Sequence, residues 1–354
     1  MKDKITAYIE IDGRKIGAGF PVYIVAELSA NHNQKYDEAV KLINAAKETR
    51  ADAVKLQTYT PDTITIQSDK PEFRIGGGTI WDGKTLYDLY SEAYTPWEWQ
   101  PKLKKVASDL GLTLFSTPFD KTAVDFLEKM SVPAYKIASL EIVDIPLIEY
   151  IASKRKPLII STGMATPGEI NEAVKTAKKA GASQIVLLKC TSAYPAPPEE
   201  MNLRTIPDMA KRFGVPVGLS DHTLGIAVSV TAVALGACVV EKHLTLSRAI
   251  PGPDSAFSLE PQEFKAMIEA IRITEKALGK VSYEIRGEEA KSLVFRRSLF
   301  VVKDIKAGEL FTLENIRSIR PGHGLHPRHL KDVLGKKATR EIRCGTPLDW
   351  KLVS

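Results

Sequence analysis

Gly218-Leu219-Ser220-Asp221-His222 is followed by a helix-like apolar segment and then by Val239-Val240-Glu241-Lys242-His243. Two short apolar runs thus each end in a histidine, with one helix between them. In a parallel β-α-β unit this spacing brings both imidazoles to the same edge of one sheet. Working outward from this stretch, brief β-branched runs alternate with amphipathic segments in a regular way. Strands are predicted at 22–27, 53–58, 112–116, 134–138, 157–161, 184–189, 216–220 and 237–242. Between the first two, residues 36–50 carry Ala39, Leu42, Ile43 and Ala46 at helical spacing. Thr95-Pro96-Trp97-Glu98 and Thr166-Pro167-Gly168-Glu169 each read as a helix start, with an N-cap threonine, a proline next and a glutamate at the third position. Strand and helix units repeated over roughly 250 residues are the size and order of an α/β fold of the (β/α)8 TIM barrel type. A doubly wound open sheet is disfavoured, because no Gly-x-Gly-x-x-Gly follows the first strand.

Two stretches lie outside this rhythm at the ends. Residues 1–20 read as a short hairpin across Asp12-Gly13, covering one end of the barrel. After a last helix at 261–278, the segment 281–295 is polar and charge-alternating, and 296–354 is dense in short strands and turn residues. The expected organisation is therefore a barrel with its hairpin at 1–280, a linker at 281–295 and a small domain at 296–354. Inside the barrel, the connection 59–94 is too long for an ordinary loop and rich in aromatic residues, so it reads as a substrate-covering loop.

Of the 354 residues, 49 are basic and 43 acidic, giving a formal charge of +6 without basic clusters. A nucleic-acid partner is not expected from such a spread. Apolar runs stay short of a membrane span and Met1-Lys2-Asp3-Lys4 does not open a signal peptide, so neither membrane nor export is expected and the location reads as cytoplasmic. The cysteines Cys190, Cys238 and Cys344 are odd in number and lack paired spacing. Cys190 and Cys238 sit in apolar runs and read as core.

Barrel enzymes carry their chemistry at the C-terminal ends of the strands. Those ends supply Glu27, Lys55, Gln57, Ser116, Thr117, Lys136, Ser139, Glu141, Ser161, Lys189, Ser192, Tyr194, Ser220, His222, Glu241 and His243. Lysines among hydroxyls suit a phosphate. Solvent-facing strand ends are polar in any case, yet convergence from most of the strands points to a site. His222 and His243 suit a divalent metal with open positions, although an isolated histidine pair is more often structural. His32, beside Asn31 and Asn33, reads as a substrate hydrogen-bonder, while His323, His326 and His329 read as surface residues.

Taken together, Ala26-Glu27-Leu28-Ser29-Ala30-Asn31-His32-Asn33, Val54-Lys55-Leu56-Gln57, Phe115-Ser116-Thr117-Pro118-Phe119, Tyr135-Lys136-Ile137-Ala138-Ser139, Ser161-Thr162-Gly163-Met164, Leu219-Ser220-Asp221-His222-Thr223 and Glu241-Lys242-His243 resemble the sialic acid synthase family. The closing domain resembles that family's antifreeze-like (SAF) domain. The resemblance implies condensation of phosphoenolpyruvate with an open-chain amino sugar, in a homodimer whose small domains are swapped. It implies a divalent metal, Mn2+ or Mg2+, on His222 and His243, with Glu27 as their catalytic companion. Lys55, Thr117, Lys136, Ser139, Ser161 and Ser220 are implied to bind phosphoenolpyruvate. Asn31, His32, Gln57, Phe119, Glu141, Ser192, Tyr194, Asp254 and Arg320 are implied to bind the sugar. Leu28-Ser29 stands where the commoner members have Ile-Gly, and Ser192 where an asparagine is usual. Both departures, with Trp81 and Trp97-Glu98-Trp99, look more like the pseudaminic acid synthases, whose sugar is a 2,4-diacetamido-2,4,6-trideoxy hexose of altrose type. A neuraminic or legionaminic acid synthase is the alternative within the family. A Schiff-base aldolase using Lys55, Lys136 or Lys189, and a non-catalytic carbohydrate-binding protein, are the rivals from other classes.

Overall fold

The computed structural model describes residues 8–354. It divides into two compact units, the first ending at Gly279 and the second spanning Lys280–Ser354. Two antiparallel strands, β1 (Tyr8–Ile11) and β2 (Arg14–Gly17), open the first unit and turn at Asp12-Gly13. Both turn residues have positive φ, 48° and 75°, as a two-residue hairpin loop that matches the strand twist requires. Eight parallel strands then close into a barrel: β3 (Tyr23–Glu27), β4 (Ala53–Thr58), β5 (Thr113–Pro118), β6 (Tyr135–Ile137), β7 (Leu158–Ser161), β8 (Ile185–Cys190), β9 (Val217–Asp221) and β10 (Val239–His243). The ring is completed by β10 against β3, with His243 beside Glu27.

Inward side chains of the strands, among them Tyr23, Val25, Phe115, Ile159, Val186, Leu188 and Val239, pack with Ile9, Ile11 and Ile16 of the hairpin. The hairpin therefore seals the N-terminal end of the barrel and leaves the other end for chemistry. Outward residues pack under the helices, for example Ile24, Val54 and Leu114 against Leu42, Ile43 and Phe264. Burial on both faces explains why the strands read as continuous apolar runs. Gly218 in β9 has a packing reason: a Cβ there would lie 2.5 Å from the Val239 carbonyl oxygen and 2.7 Å from the Val239 Cβ.

Thr166 behaves as its sequence suggests, capping the helix Pro167–Lys179 in a reciprocal box with Glu169. Thr95 does not. A 3-10 turn at Trp97–Trp99 precedes the helix Gln100–Asp109, and the Thr95 hydroxyl bonds His32 Nε2 at 3.0 Å instead. The connection 59–94 is ordered by the short helices Pro61–Ile64 and Leu86–Ala93.

In the second unit, β11 (Ser298–Val301) pairs antiparallel with β12 (Ile316–Ile319). Leu299, Val301, Ile305, Phe311, Ile316, Ile342 and Leu348 form its own core. The segment 281–295 is not bare linker: it holds the short helix Glu288–Lys291 and a 3-10 turn at Ser292–Phe295.

Candidate active site

All eight barrel strands, through their last residues or the residues just after them, line one cavity of about 220 Å3. Its polar floor is a row of alternating charges. Lys55 Nζ lies 2.8 Å from Glu27 and 3.2 Å from Glu241, and Lys136 Nζ lies 3.6 Å from Glu241. Lys136 also donates to Ser161 Oγ at 2.6 Å, and Lys55 to Thr117 Oγ1 at 3.4 Å. These ions are nearly fully buried, so each carboxylate is tolerable only because an ammonium faces it. Burial works against charge on Lys55, but Glu241 and Glu27 outweigh it and hold the ammonium above its ordinary range. Burial wins at Lys136, which is lowered despite Glu241. Of the two carboxyls, Glu27 is raised by burial, while at Glu241 the pull of Lys136 and Lys55 overcomes burial.

Beside this row stand the two histidines. Their ring centroids are 5.4 Å apart. His222 Nδ1 is 3.1 Å from the Thr191 carbonyl, so it donates there and turns Nε2 away from that strand end. Burial, His222 and Lys55 all push His243 well below its usual value, keeping it neutral. Its Nδ1 is buried without a hydrogen-bond partner, as are Oε2 of Glu241 and Oε2 of Glu141. Behind the histidines, the neighbouring residues Asp221 and Lys242 form a fully buried ion pair at 2.8 Å. Asp221 also accepts from Thr223 and Ser229, and Lys242 donates to the Thr223 carbonyl, so the pair ties β9 to β10.

The other expected site residues sort by position. Gln57, Phe119, Ser139, Glu141, Tyr194, Ser220 and Asp254 line the cavity with Glu27, Lys55, Lys136, Ser161, His222 and His243. Asp254 accepts from the Ser29 hydroxyl and the Ala30 amide. Ser29 reaches it from a left-handed backbone, φ 42°, and also accepts from Gln57 at 3.1 Å. Five expected residues are not among those lining the cavity. Asn31 is spent on the Leu244 carbonyl and Ser258, each at 2.9 Å. His32 is wholly buried between Thr95 and the Gln34 amide, and burial lowers it to about 4. Thr117 braces Lys55 from β5. Ser192 stands behind Gly163, where a Cβ would clash with its hydroxyl. Arg320 belongs to the second unit, where it is exposed.

Sequence reasoning missed three things. Glu241 was visible only as a strand end, yet it pairs with two lysines. Cys190 read as core, but it lines the cavity with Sγ 3.8 Å from His222 Nδ1. Burial opposes charge on both, and their contact outweighs it, lowering the thiol to about 6 and raising the imidazole. Ser29 carried a signal, a departure from a usual glycine, but its partners were not legible.

Glu141 yields a testable consequence. Burial raises its carboxyl to about 7 from an ordinary 4.5. The folded state then binds its proton before the unfolded chain does, so stability falls as pH rises from about 4.5 to about 7 and stays reduced above. Glu141→Gln removes that loss. Its stability advantage over the parent, measured by urea unfolding, is expected to be on the order of 2 kcal/mol at pH 8 and to shrink toward pH 5; an advantage independent of pH would contradict the assignment.

Residues 42–283 match the model of the NeuB family and residues 296–354 that of the SAF domain. The chain is 47% identical over 327 residues to a pseudaminic acid synthase of Campylobacter jejuni, covering 92% of this chain and 95% of that one. It is 46% identical to the pseudaminic acid synthase of Helicobacter pylori, over 93% and 96% of the two chains. Among solved structures, the spore coat polysaccharide biosynthesis protein SpsE of Bacillus subtilis is 34% identical, with a TM-score of 0.67 over 98% of this chain and 99% of that one. A family model over most of the barrel and relatives at 46–47% identity over nearly the whole chain agree, and the chain belongs to the NeuB family.

Proposed function

We propose that this protein condenses phosphoenolpyruvate with a 2,4-diacetamido-2,4,6-trideoxy hexose of altrose type, giving pseudaminic acid and inorganic phosphate. The observation that carries the reading is the row Glu27, Lys55, Glu241, Lys136 set beside two histidines in one cavity. Relatives at 46–47% identity bearing the name pseudaminic acid synthase support the choice of sugar.

Lys55 and Lys136, with the hydroxyls of Ser139, Ser161 and Ser220, hold the phosphate and carboxylate of phosphoenolpyruvate, and Thr117 steadies Lys55. C3 of the enol then lies over the floor and attacks the aldehyde carbon of the open-chain sugar, whose oxygen takes a proton. Water adds at C2, and phosphate leaves by C–O cleavage, so one water is consumed and one phosphate released. Glu27, raised by burial and next to Lys55, handles the proton on that water. Against a Schiff-base nucleophile, Lys55 faces two carboxylates, Lys136 is held by Glu241 and Ser161, and Lys189 is engaged by the Cys190 carbonyl and Thr191.

His222 and His243 fit a divalent cation, Mn2+ or Mg2+. The first has its Nδ1 hydrogen spent on a backbone carbonyl, and the second is neutral with Nδ1 orphaned. Among the described residues no group of three or more His, Cys, Asp and Glu side chains is disposed around one point, so water and substrate would complete the shell. A cation there supplies Lewis acidity toward the sugar aldehyde.

The protein acts as a homodimer in the cytoplasm, with Arg320 serving the sugar site across subunits. Supporting the dimer, Leu140, Val143, Met164 and Leu224 beyond the barrel strands are each about 60% exposed, and Val281 and Tyr283 more than 90%, large apolar side chains of the kind an interface covers. Sedimentation at twice the chain mass checks it. Among the described residues no helix is long and apolar enough to cross a membrane.

The test is product mass spectrometry after incubation with phosphoenolpyruvate and a panel of amino sugars. The trideoxy altrose derivative should give a nine-carbon keto acid at a rate well above N-acetylmannosamine or the legionaminic precursor. Faster turnover of either competitor would reassign the sugar.

A further inference from the structure

The charged residues that line the cavity and the largest set of apolar ones come from different parts of the chain. Every charged lining residue, namely Glu27, Lys55, Lys136, Glu141, Glu241 and Asp254, comes from a strand end or from a connection other than 59–94. That connection contributes Tyr59, Ile64, Trp81, Leu89, Tyr90 and Ala93. Ile64 and Leu89 offer no polar atom. Trp81 has only one, Nε1, and spends it on the Pro253 carbonyl at 2.9 Å. Tyr59 and Tyr90 pack edge to face at 5.6 Å, and Tyr59 packs likewise on Phe119 at 5.1 Å. The helix Leu86–Ala93 holds this wall in place. Thr85 caps it, accepting from the Asp88 amide. Leu89, Tyr90 and Ala93 then fall on its cavity side.

Resting on the reading above, we propose that Ile64 and Leu89 form the wall that receives the far end of the open-chain sugar and selects a methyl group over a hydroxymethyl at C6. The reacting aldehyde is fixed at the floor, because phosphoenolpyruvate sits on Lys55 and Lys136. The opposite end of the sugar chain is therefore directed away from the strand ends, toward the apolar side chains that the 59–94 insertion adds to the lining. A methyl group gains by leaving water against Ile64 and Leu89. A hydroxyl in the same place is stripped of water and finds no donor or acceptor on either side chain. Apolar pockets discriminate against an added hydroxyl by about 100-fold at most, so the preference is set at roughly 10 to 100-fold.

The experiment uses the full-length enzyme and a matched pair of substrates: the 2,4-diacetamido-2,4,6-trideoxy hexose and the same sugar carrying a 6-hydroxyl. For each, kcat/KM is measured from phosphate release, together with KM for phosphoenolpyruvate. The parent should prefer the deoxy sugar by 10 to 100-fold. Leu89→Asn should cut that ratio at least 5-fold, mainly through the sugar KM, with KM for phosphoenolpyruvate unchanged. Ile64→Thr, on a partly exposed side chain, gives a milder shift in the same direction and stands in should Leu89→Asn fail to fold. An unchanged ratio in folded variants, or a parent that uses both sugars equally well, overturns the wall assignment while leaving the synthase reading intact. A parent that releases phosphate with neither sugar overturns the synthase reading itself, and this assignment with it.

Discussion

Alanine at either His222 or His243 is expected to lower kcat by about 1000-fold, while phosphoenolpyruvate still binds within a few-fold of the parent affinity. The magnitude corresponds to roughly 4 kcal/mol of lost charge stabilisation on the aldehyde oxygen. The separation of effects follows from the layout: the phosphate and carboxylate of phosphoenolpyruvate are met by Lys55, Lys136 and the serines, and the imidazoles stand beside that row. Calorimetric titration with Mn2+ provides a readout independent of turnover, and binding should be lost in both variants. His243 is the cleaner probe. Its ring has an unpartnered buried nitrogen, whereas His222 also holds the Thr191 carbonyl and touches Cys190. Full activity of either variant in the presence of a chelator would remove the metal from the account.

Lys55→Met should be the most damaging single change to the floor. It leaves Glu27 buried without an ammonium, on the strand adjacent to Glu241, which keeps only Lys136 at 3.6 Å. Breaking a buried pair from one side costs about 3–5 kcal/mol, which for a domain of this size lowers the melting temperature by roughly 10 °C. Phosphate release should be abolished. Adding Glu27→Gln to Lys55→Met removes the stranded charge, so the double variant should regain more than half of the lost stability and none of the activity. Equal melting temperatures for single and double variants, measured by calorimetry, would mean that the carboxylates are not confronting each other as the geometry requires.

Much of this was legible from the chain itself, and the reasons for what was not are physical. Strands buried on both faces leave continuous apolar runs, so all eight could be placed, and the chemistry at their ends followed from the barrel rule. Pairing across the ring could not be read. Glu241 and Lys55 are 186 positions apart, and only closure of β10 onto β3 brings them within 3.2 Å. The burial of His32 could not be read either: a histidine flanked by asparagines after a strand looks exposed, whereas Thr95 and Trp99 bury it. At Thr95 the hydroxyl is turned to His32, and a 3-10 turn at Trp97–Trp99 stands where the helix start was expected. In the 59–94 insertion the aromatic content announced a covering role, but which side chains face inward depends on the placement of the helix Leu86–Ala93, which tertiary contacts decide.

The most direct test tracks the oxygen that joins C2 of phosphoenolpyruvate to phosphorus. With that bridging atom labelled by 18O, and with the trideoxy altrose derivative as co-substrate, mass spectrometry reads the label in both products. A nine-carbon keto acid without label and phosphate carrying all of it are expected. Label retained in the keto acid, or labelled phosphate released at the same rate without any sugar, would contradict the proposed condensation.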